Sequence, residues 1–410
     1  MKDNDDNINY FCALDWATQK HYYVLQDKTG ETLSEGYFPN SNEGYEEFLA
    51  ILRDHAEGQR IALILEAIRG APMNMLIGIK WLKLCPVNPI KTKKLSELEG
   101  VSGGKSDPRD TRLLCDYLRM SYRKLSKIYV EEDSQMRILR ELVGLEKSLV
   151  QRVTKLKQRI WGETNTLCPQ LEDLLGDIES PVYQQYLLKF NPLKPAKDTT
   201  IANLLRKYKL YNPTVVTRFI EAHKKLKPLG KDKAFIQMQL ENLRSWVRQL
   251  ITATEELRAC EKRMDAVFKQ MPQAAIYLSM PSVGPRLAPR LASMFGSEPS
   301  QKYHCKAQVR AYFGQVPITF KSGKHTLVLK RHSCDRSSRQ TCFLWARSTN
   351  MAAGTSWQKD FLHKHKEKGD RVPTRYRKLG AKLTGILYKC LCDNTLYDPA
   401  IYQKNIHQNA

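Results

Sequence analysis

Apolar residues in the first 130 positions come in short runs, each closed by a polar or turn residue. The runs fall at 10–15, 22–27, 31–38, 61–66 and 82–87. Their length and their β-branched and aromatic content predict strands. Lys28-Thr29-Gly30 marks a turn after the second run, so runs two and three predict a β-hairpin or the start of a meander. Helical spacing appears at 42–56, 70–80 and 108–120. Strands followed by alternating helices and strands predict a mixed sheet covered by helices.

Beyond this region the period changes. Over 131–163, Leu139, Leu142, Leu145, Leu149, Val153, Leu156 and Ile160 recur at steps of three and four, and Pro169 stops the pattern. Over 235–270, Leu240, Leu243, Val247, Leu250, Leu257, Met264 and Phe268 form a heptad seam, interrupted by Thr254 and Glu261. The two stretches predict an antiparallel coiled coil, within the chain or across a dimer. Residues 166–233, rich in Lys and Pro, read as an inserted helical, basic subdomain. Three domains follow: an α/β domain at 1–128, a coiled coil with its insertion at 129–272, and a small, mainly α domain at 273–410. In the last, Met280 to Pro285 followed by Leu287 to Leu291 suits a helix-hairpin-helix turn, with Ser282 in place of a glycine. Lys378 to Asp393 has helical spacing.

The 410-residue chain carries a formal net charge of +23, with 42% apolar residues. That excess favours a polyanionic partner, since Lys and Arg neutralise phosphates and release counterions. Charge alone also fits a ribosomal-type binder or an acidic-membrane ligand. No run of eighteen apolar residues exists, which predicts no membrane span. The start, Met1-Lys2-Asp3-Asn4-Asp5-Asp6, is unlike a secretory signal and predicts a cytoplasmic protein. Ten cysteines include no CxxC pair. The close pairs Cys390/Cys392, His363/His365 and His304/Cys305 do not suit tetrahedral zinc, so the cysteines read as small apolar residues of a reducing compartment.

Candidate chemistry is acidic and far apart in sequence. Asp15 and Glu66 end two apolar runs, and Asp107 and Asp110 stand one helical turn apart. Carboxylates on strand ends facing a carboxylate pair at a helix start suit a divalent-metal site for phosphodiester cleavage. Each residue also has an ordinary reading: a strand-end acid, an N-cap at Asp107 before Pro108, a dipole-favoured first-turn acid at Asp110. A second candidate is Ser322, beside Gly323 and among Lys321, Lys324, His325, Lys330 and Arg331. A serine can attack a phosphodiester where cations hold the phosphate; Ser-Gly-Lys is also a common turn. Arg371, Arg375, Arg377, Lys378 and Lys382, interleaved with Tyr376, read either as a solvated helix face or as phosphate contacts. Trp16 and Trp81 read as core.

Several of these segments together resemble the DEDD-type transposases of the insertion-sequence 110 family, the bridge-RNA-guided recombinases. They are Leu14-Asp15-Trp16-Ala17 with Lys20-His21, Leu65-Glu66-Ala67 with Gly70, and Lys105-Ser106-Asp107-Pro108-Arg109-Asp110 with Leu113-Leu114. Towards the C-terminus they are Pro281-Ser282-Val283-Gly284, Tyr312-Phe313-Gly314-Gln315-Val316-Pro317 and Ser322-Gly323. The resemblance implies a RuvC-like (RNase H-like) first domain, a coiled coil and a C-terminal transposase domain. It implies that Asp15, Glu66, Asp107 and Asp110 bind Mg²⁺, or Mn²⁺ in its place, and that Ser322 forms a covalent phosphoserine link to a cleaved DNA strand. It implies a structured guide RNA, donor and target DNA, a homo-oligomer (dimer or tetramer) with composite sites, and a place at the bacterial or archaeal nucleoid. Two departures stand out. Lys330-Arg331-His332-Ser333-Cys334-Asp335-Arg336 lacks the family's glycine and asparagine, and Ser106 replaces the usual threonine. The rival readings are a RuvC-like nuclease that hydrolyses junctions with water, and a non-catalytic RNA-binding protein.

Overall fold

A computed structural model describes residues 8–66, 70–87, 106–125, 131–194, 196–323, 325–352 and 356–401. Ala67, Lys105 and Lys324, named above, lie outside the described residues. The chain divides into two compact units, Met1–Asp133 with Gly296–Cys305, and Ser134–Phe295 with Lys306–Ala410.

The first unit is built on one five-stranded sheet. Its strands are β1 (Tyr10–Asp15), β2 (Lys20–Asp27), β3 (Thr32–Pro39), β4 (Ile61–Leu65) and β5 (Leu82–Pro86). The spatial order is β3-β2-β1-β4-β5. The first three strands form the antiparallel meander, and β4 and β5 run parallel to β1. Between strands lie α1 (Asn42–His55) and α2 (Ala71–Leu76), and α3 (Asp107–Leu125) follows. The helix expected over 70–80 is only six residues long. All five residues of β4 are buried, as the middle of a covered sheet requires. Alternation sorts them to two sides. Leu63 and Leu65 pack with Cys12, Leu14, Phe48 and Leu52; Ala62 and Ile64 pack with Phe11, Ala13, Leu114, Cys115 and Leu118 of α3. This mixed, helix-covered sheet is consistent with a RuvC-like domain.

The second unit is helical. α4 (Ser134–Leu167) is followed by α5 (Leu171–Leu174), α6 (Pro181–Lys189), α7 (Asp198–Lys207) and α8 (Pro213–Lys224); α9 (Lys233–Lys269) then returns. Cys260 Sγ meets the Leu142 carbonyl, Arg152 pairs with Glu256, and the Arg159 guanidinium lies over Trp246. Falling numbers on one helix against rising numbers on the other make α4 and α9 an antiparallel pair within one chain. The insertion is helical, as its composition suggests, and its apolar residues, Tyr186 and Phe219 among them, join the core that runs along α4 and α9. One position of the seam differs from expectation. Leu145 is 44% exposed, whereas Glu146 is fully buried, its carboxylate accepting from Nε and Nη2 of Arg290. Thr254 fits the seam by donating its hydroxyl to the Leu250 carbonyl, 2.8 Å away.

The C-terminal part of this unit contains α10 (Ala274–Ser279), α11 (Leu287–Phe295), α12 (Lys306–Tyr312), α13 (Arg336–Met351), α14 (Trp357–Glu367) and α15 (Val372–Asp393). The turn between α10 and α11 holds Ser282 at φ +57°, a left-handed conformation that glycine adopts more easily. A two-stranded hairpin, β6 (Ile318–Ser322) with β7 (His325–Leu329), interrupts the helices. The mainly α expectation therefore holds, with strands that its helical periodicity did not announce.

Candidate functional site

Parallel pairing sets the first two carboxylates side by side. Leu14 is opposite Leu65, so Asp15 and Glu66 are the next residues at the same end of neighbouring strands. Alternation gives both the side occupied by Phe11, Ala13, Ala62 and Ile64, which is the side covered by α3. The direction of α3 follows from its contacts. Tyr122 meets the Phe11 ring near the start of β1, and Cys115 Sγ reaches the Phe11 carbonyl. Arg119 lies against Gly30, in the turn at that same end of the sheet. Arg112, two turns earlier, pairs with Glu35 beside Tyr22, and Tyr22 is the register partner of Asp15. The helix therefore runs antiparallel to β1, and its first turn, with Asp107 and Asp110, lies at the Asp15/Glu66 end.

The helix starts one residue before the position expected for an N-cap at Asp107. Asp107 is its first residue, and the amide of Asp110 bonds the Ser106 carbonyl at 3.0 Å. Asp110 is half-buried and Asp107 exposed. Carboxylates are the hard oxygen donors that Mg²⁺ takes. Among the described residues no three His, Cys, Asp or Glu side chains are arranged to hold a metal ion together. The fold gathers the four donors to one end of the sheet without closing them on one point.

The turn after Asp15 has its own support. His21 is fully buried; its Nδ1 accepts the Ala17 amide at 3.2 Å and its Nε2 lies 2.9 Å from the Tyr45 hydroxyl. Burial pushes the His21 pKa below its ordinary value, so the ring is neutral and fit to accept. Trp16, expected in the core, is instead 40% exposed and leans towards Gly70, which holds φ +102°.

Ser322 occupies a different setting. It ends β6 and pairs across the hairpin with His325. Every residue of β6 and β7 except Ile318 is exposed. Its base is firmly held. Gly314 takes φ +65°, and a Cβ there would lie 2.6 Å from Cys334 Sγ. Gln315 is buried and donates to the Phe313 carbonyl, while its own carbonyl accepts from Arg377 at 2.7 Å. Arg331, at the exit of β7, bonds the Val316 carbonyl at 3.2 Å. The segment Tyr312 to Pro317 thus anchors the strand that carries Ser322.

Two transposase family models match the chain. The DEDD transposase model of IS110 covers residues 12–167, and the model for transposases of the IS116/IS110/IS902 family covers 274–363. The first takes in all but the first two residues of the sheet and all four carboxylates, the second the hairpin. The chain belongs to the IS110 family of transposases. It is 24% identical to the mini-circle putative transposase for IS117 of Streptomyces coelicolor, over 96% of each chain. It is 25% identical to the putative transposase y4uE of Sinorhizobium fredii, over 50% of this chain and 58% of that one. An IS110 protein of 43.6 kDa from Streptomyces coelicolor is 22% identical over 97% of each.

For an IS110-family chain the basic residues are unevenly committed. Lys321, next to Ser322, and Lys330, at the base end of the hairpin beyond Leu329, are both exposed. Arg331 and Arg377 hold backbone carbonyls, and burial lowers the Arg377 pKa. Lys378 pairs with Asp370 at 2.6 Å, and the Asp370 carboxyl is held below its ordinary range by that lysine first and by His365 second. Arg375 is half-buried. Much of the 371–382 cluster is therefore internal bonding. No helix among the described residues is long and apolar enough to cross a membrane. Sequence reasoning had named neither Glu146 nor the Ser322–His325 register; burial and strand pairing reveal them.

Proposed function

We propose that the chain is a DNA transposase and recombinase of an insertion sequence, guided by a structured RNA, that cleaves and exchanges strands through a phosphoserine. The observation that supports this reading best is that strand register and the direction of α3 put Asp15, Glu66, Asp107 and Asp110 at the same end of the sheet. Family membership and the transposase names of its relatives support it. The four carboxylates would hold Mg²⁺, which would neutralise charge on the scissile phosphate. Ser322 Oγ attacks phosphorus: the Oγ–P bond forms, the P–O bond to the sugar breaks, and the sugar oxygen leaves with a proton. One phosphoester replaces another, so rejoining by a new sugar hydroxyl needs no external energy source. Exposed Lys321 and Lys330 offer positive charge to the DNA backbone. Guide pairing would set target and donor choice, and a homo-oligomer would bring serines to acidic sites.

The test co-expresses the chain with its element's flanking non-coding DNA, then adds labelled donor and target DNA with Mg²⁺. We expect a protein–DNA adduct that survives SDS, is lost with EDTA, and is absent from Ser322→Ala and from Asp110→Asn. Cleavage without an adduct would replace this reading by water-driven hydrolysis. Unchanged reaction in Asp110→Asn would leave an inert scaffold.

A further inference from the structure

A serine hydroxyl must lose its proton to attack phosphorus, and the hairpin supplies few acceptors. No Asp or Glu occurs between Glu298 and Asp335. Within β6 and β7 the ionisable side chains are Lys321 and His325 alone. An ammonium group can only donate, whereas an imidazole ring nitrogen can accept a proton and pass it on.

Strand register places that imidazole beside the serine. Ser322 and His325 are direct cross-strand partners. Directly opposed residues of an antiparallel pair share one side of the ribbon, with Cβ atoms about 4.5–5.5 Å apart. That spacing lets a rotamer change bring a ring nitrogen within hydrogen-bond reach of Oγ. On the same side stand Ile318, Phe320, Leu327 and Leu329, while Lys321 and Thr326 alternate to the opposite side. The element paired with β7 is β6, and its one charged residue, Lys321, lies on the side away from His325. Both Ser322 and His325 are exposed, and among the described residues neither side chain has a hydrogen-bond partner.

We propose that His325 is the proton acceptor for Ser322. This rests on Ser322 being the attacking group. As the Oγ–P bond forms, the Oγ proton passes to the unprotonated ring nitrogen. The resulting imidazolium gives it to the sugar oxygen whose P–O bond breaks, so no further reactant is consumed.

The first experiment needs no DNA. In full-length Ser322→Cys, the rate of iodoacetamide alkylation at position 322 is followed by peptide mass spectrometry against pH. The same is done with His325→Gln added. An imidazole in reach stabilises the thiolate, so we expect alkylation near pH 7 to be at least about tenfold faster with the histidine than without it. Superimposable pH profiles overturn the proposal. On DNA, His325→Gln with Ser322 intact should slow adduct formation by about 10²–10⁴-fold, the usual worth of a general base. An unchanged rate also overturns it. An adduct that persists in Ser322→Ala sinks the serine reading instead, whatever the thiol experiment gives.

Discussion

The carboxylates and the serine stand on opposite kinds of scaffold. Asp15 and Glu66 end strands whose residues are almost wholly buried, between α3 on one side and α1 on the other. Among the described residues, Ser322 ends a strand that has one neighbour and no covered side, held at its base by Gly314, Gln315 and Arg331. The sheet positions acids by burying everything beneath them. The hairpin presents a nucleophile by burying almost nothing. Changes beneath the first site should therefore unfold the protein, while changes beside the second should leave it folded and alter only what it does.

The largest effect should come from the sheet. Leu63 is fully buried in the central strand β4. Leu63→Ala removes apolar volume that rigid neighbours cannot refill, and should cost about 2–5 kcal/mol of stability. Denaturant melts read the cost directly. A loss under about 1 kcal/mol would mean that the acids rest on a softer base than the burial implies.

The hairpin's base should respond next. Gly314→Ala forces a side chain into a left-handed residue and against Cys334 Sγ. Strain of this kind costs about 1–3 kcal/mol. Adduct formation at Ser322 should fall with it, because the strand that carries the serine leaves from this anchor. Full activity in that variant would show that the anchor does not position the hairpin.

A smaller, pH-dependent effect separates the two regions. His21 is buried, and its pKa is pushed below the ordinary 6.5 by burial first. The unfolded chain then binds more protons than the folded one as pH falls through about 6.5. Stability from this group is present above that value and declines below it. His223, buried in the insertion against Tyr186, shifts in the same direction. Melts at pH 5 and pH 7.5 should differ, and His21→Asn should narrow the difference. A melting temperature that does not fall in acid would contradict a neutral buried His21.

How far the sequence foretold each scaffold follows the same division. All five strands of the sheet were legible: four as apolar runs, and the mostly exposed β3 from the turn signal Lys28-Thr29-Gly30 before it. The end of the sheet where the acids meet was legible too, since those runs finish on Asp15 and Glu66. The direction of α3 was not, because it depends on contacts such as Cys115 with the Phe11 carbonyl. At the hairpin the Ser-Gly-Lys turn was visible but its strands were passed over. Ile318 and Phe320 give β6 the alternation of a half-buried strand and Leu327-Val328-Leu329 give β7 a short apolar run, yet Phe320 and all three residues of that run are exposed. In α4 the hydrophobic pattern chose Leu145, whereas the structure buries Glu146. A charge enters a seam only with a partner, and Arg290 lies 144 residues away. Periodicity carries no information about such a partner.

The smallest effect makes the others interpretable. Leu327 is 56% exposed on the same side of the hairpin as Ser322 and His325. Leu327→Ala removes little buried area and no hydrogen bond, so stability should change by less than about 0.5 kcal/mol. The melting temperature should match that of the unaltered chain within about 2 °C. If it does, defects of Ser322→Ala and His325→Gln cannot be ascribed to lost folding, since the whole ribbon then contributes little to stability. If Leu327→Ala instead costs about as much as Leu63→Ala, the hairpin is covered in solution by something it meets there. The contrast between a buried scaffold and a bare one would then fail.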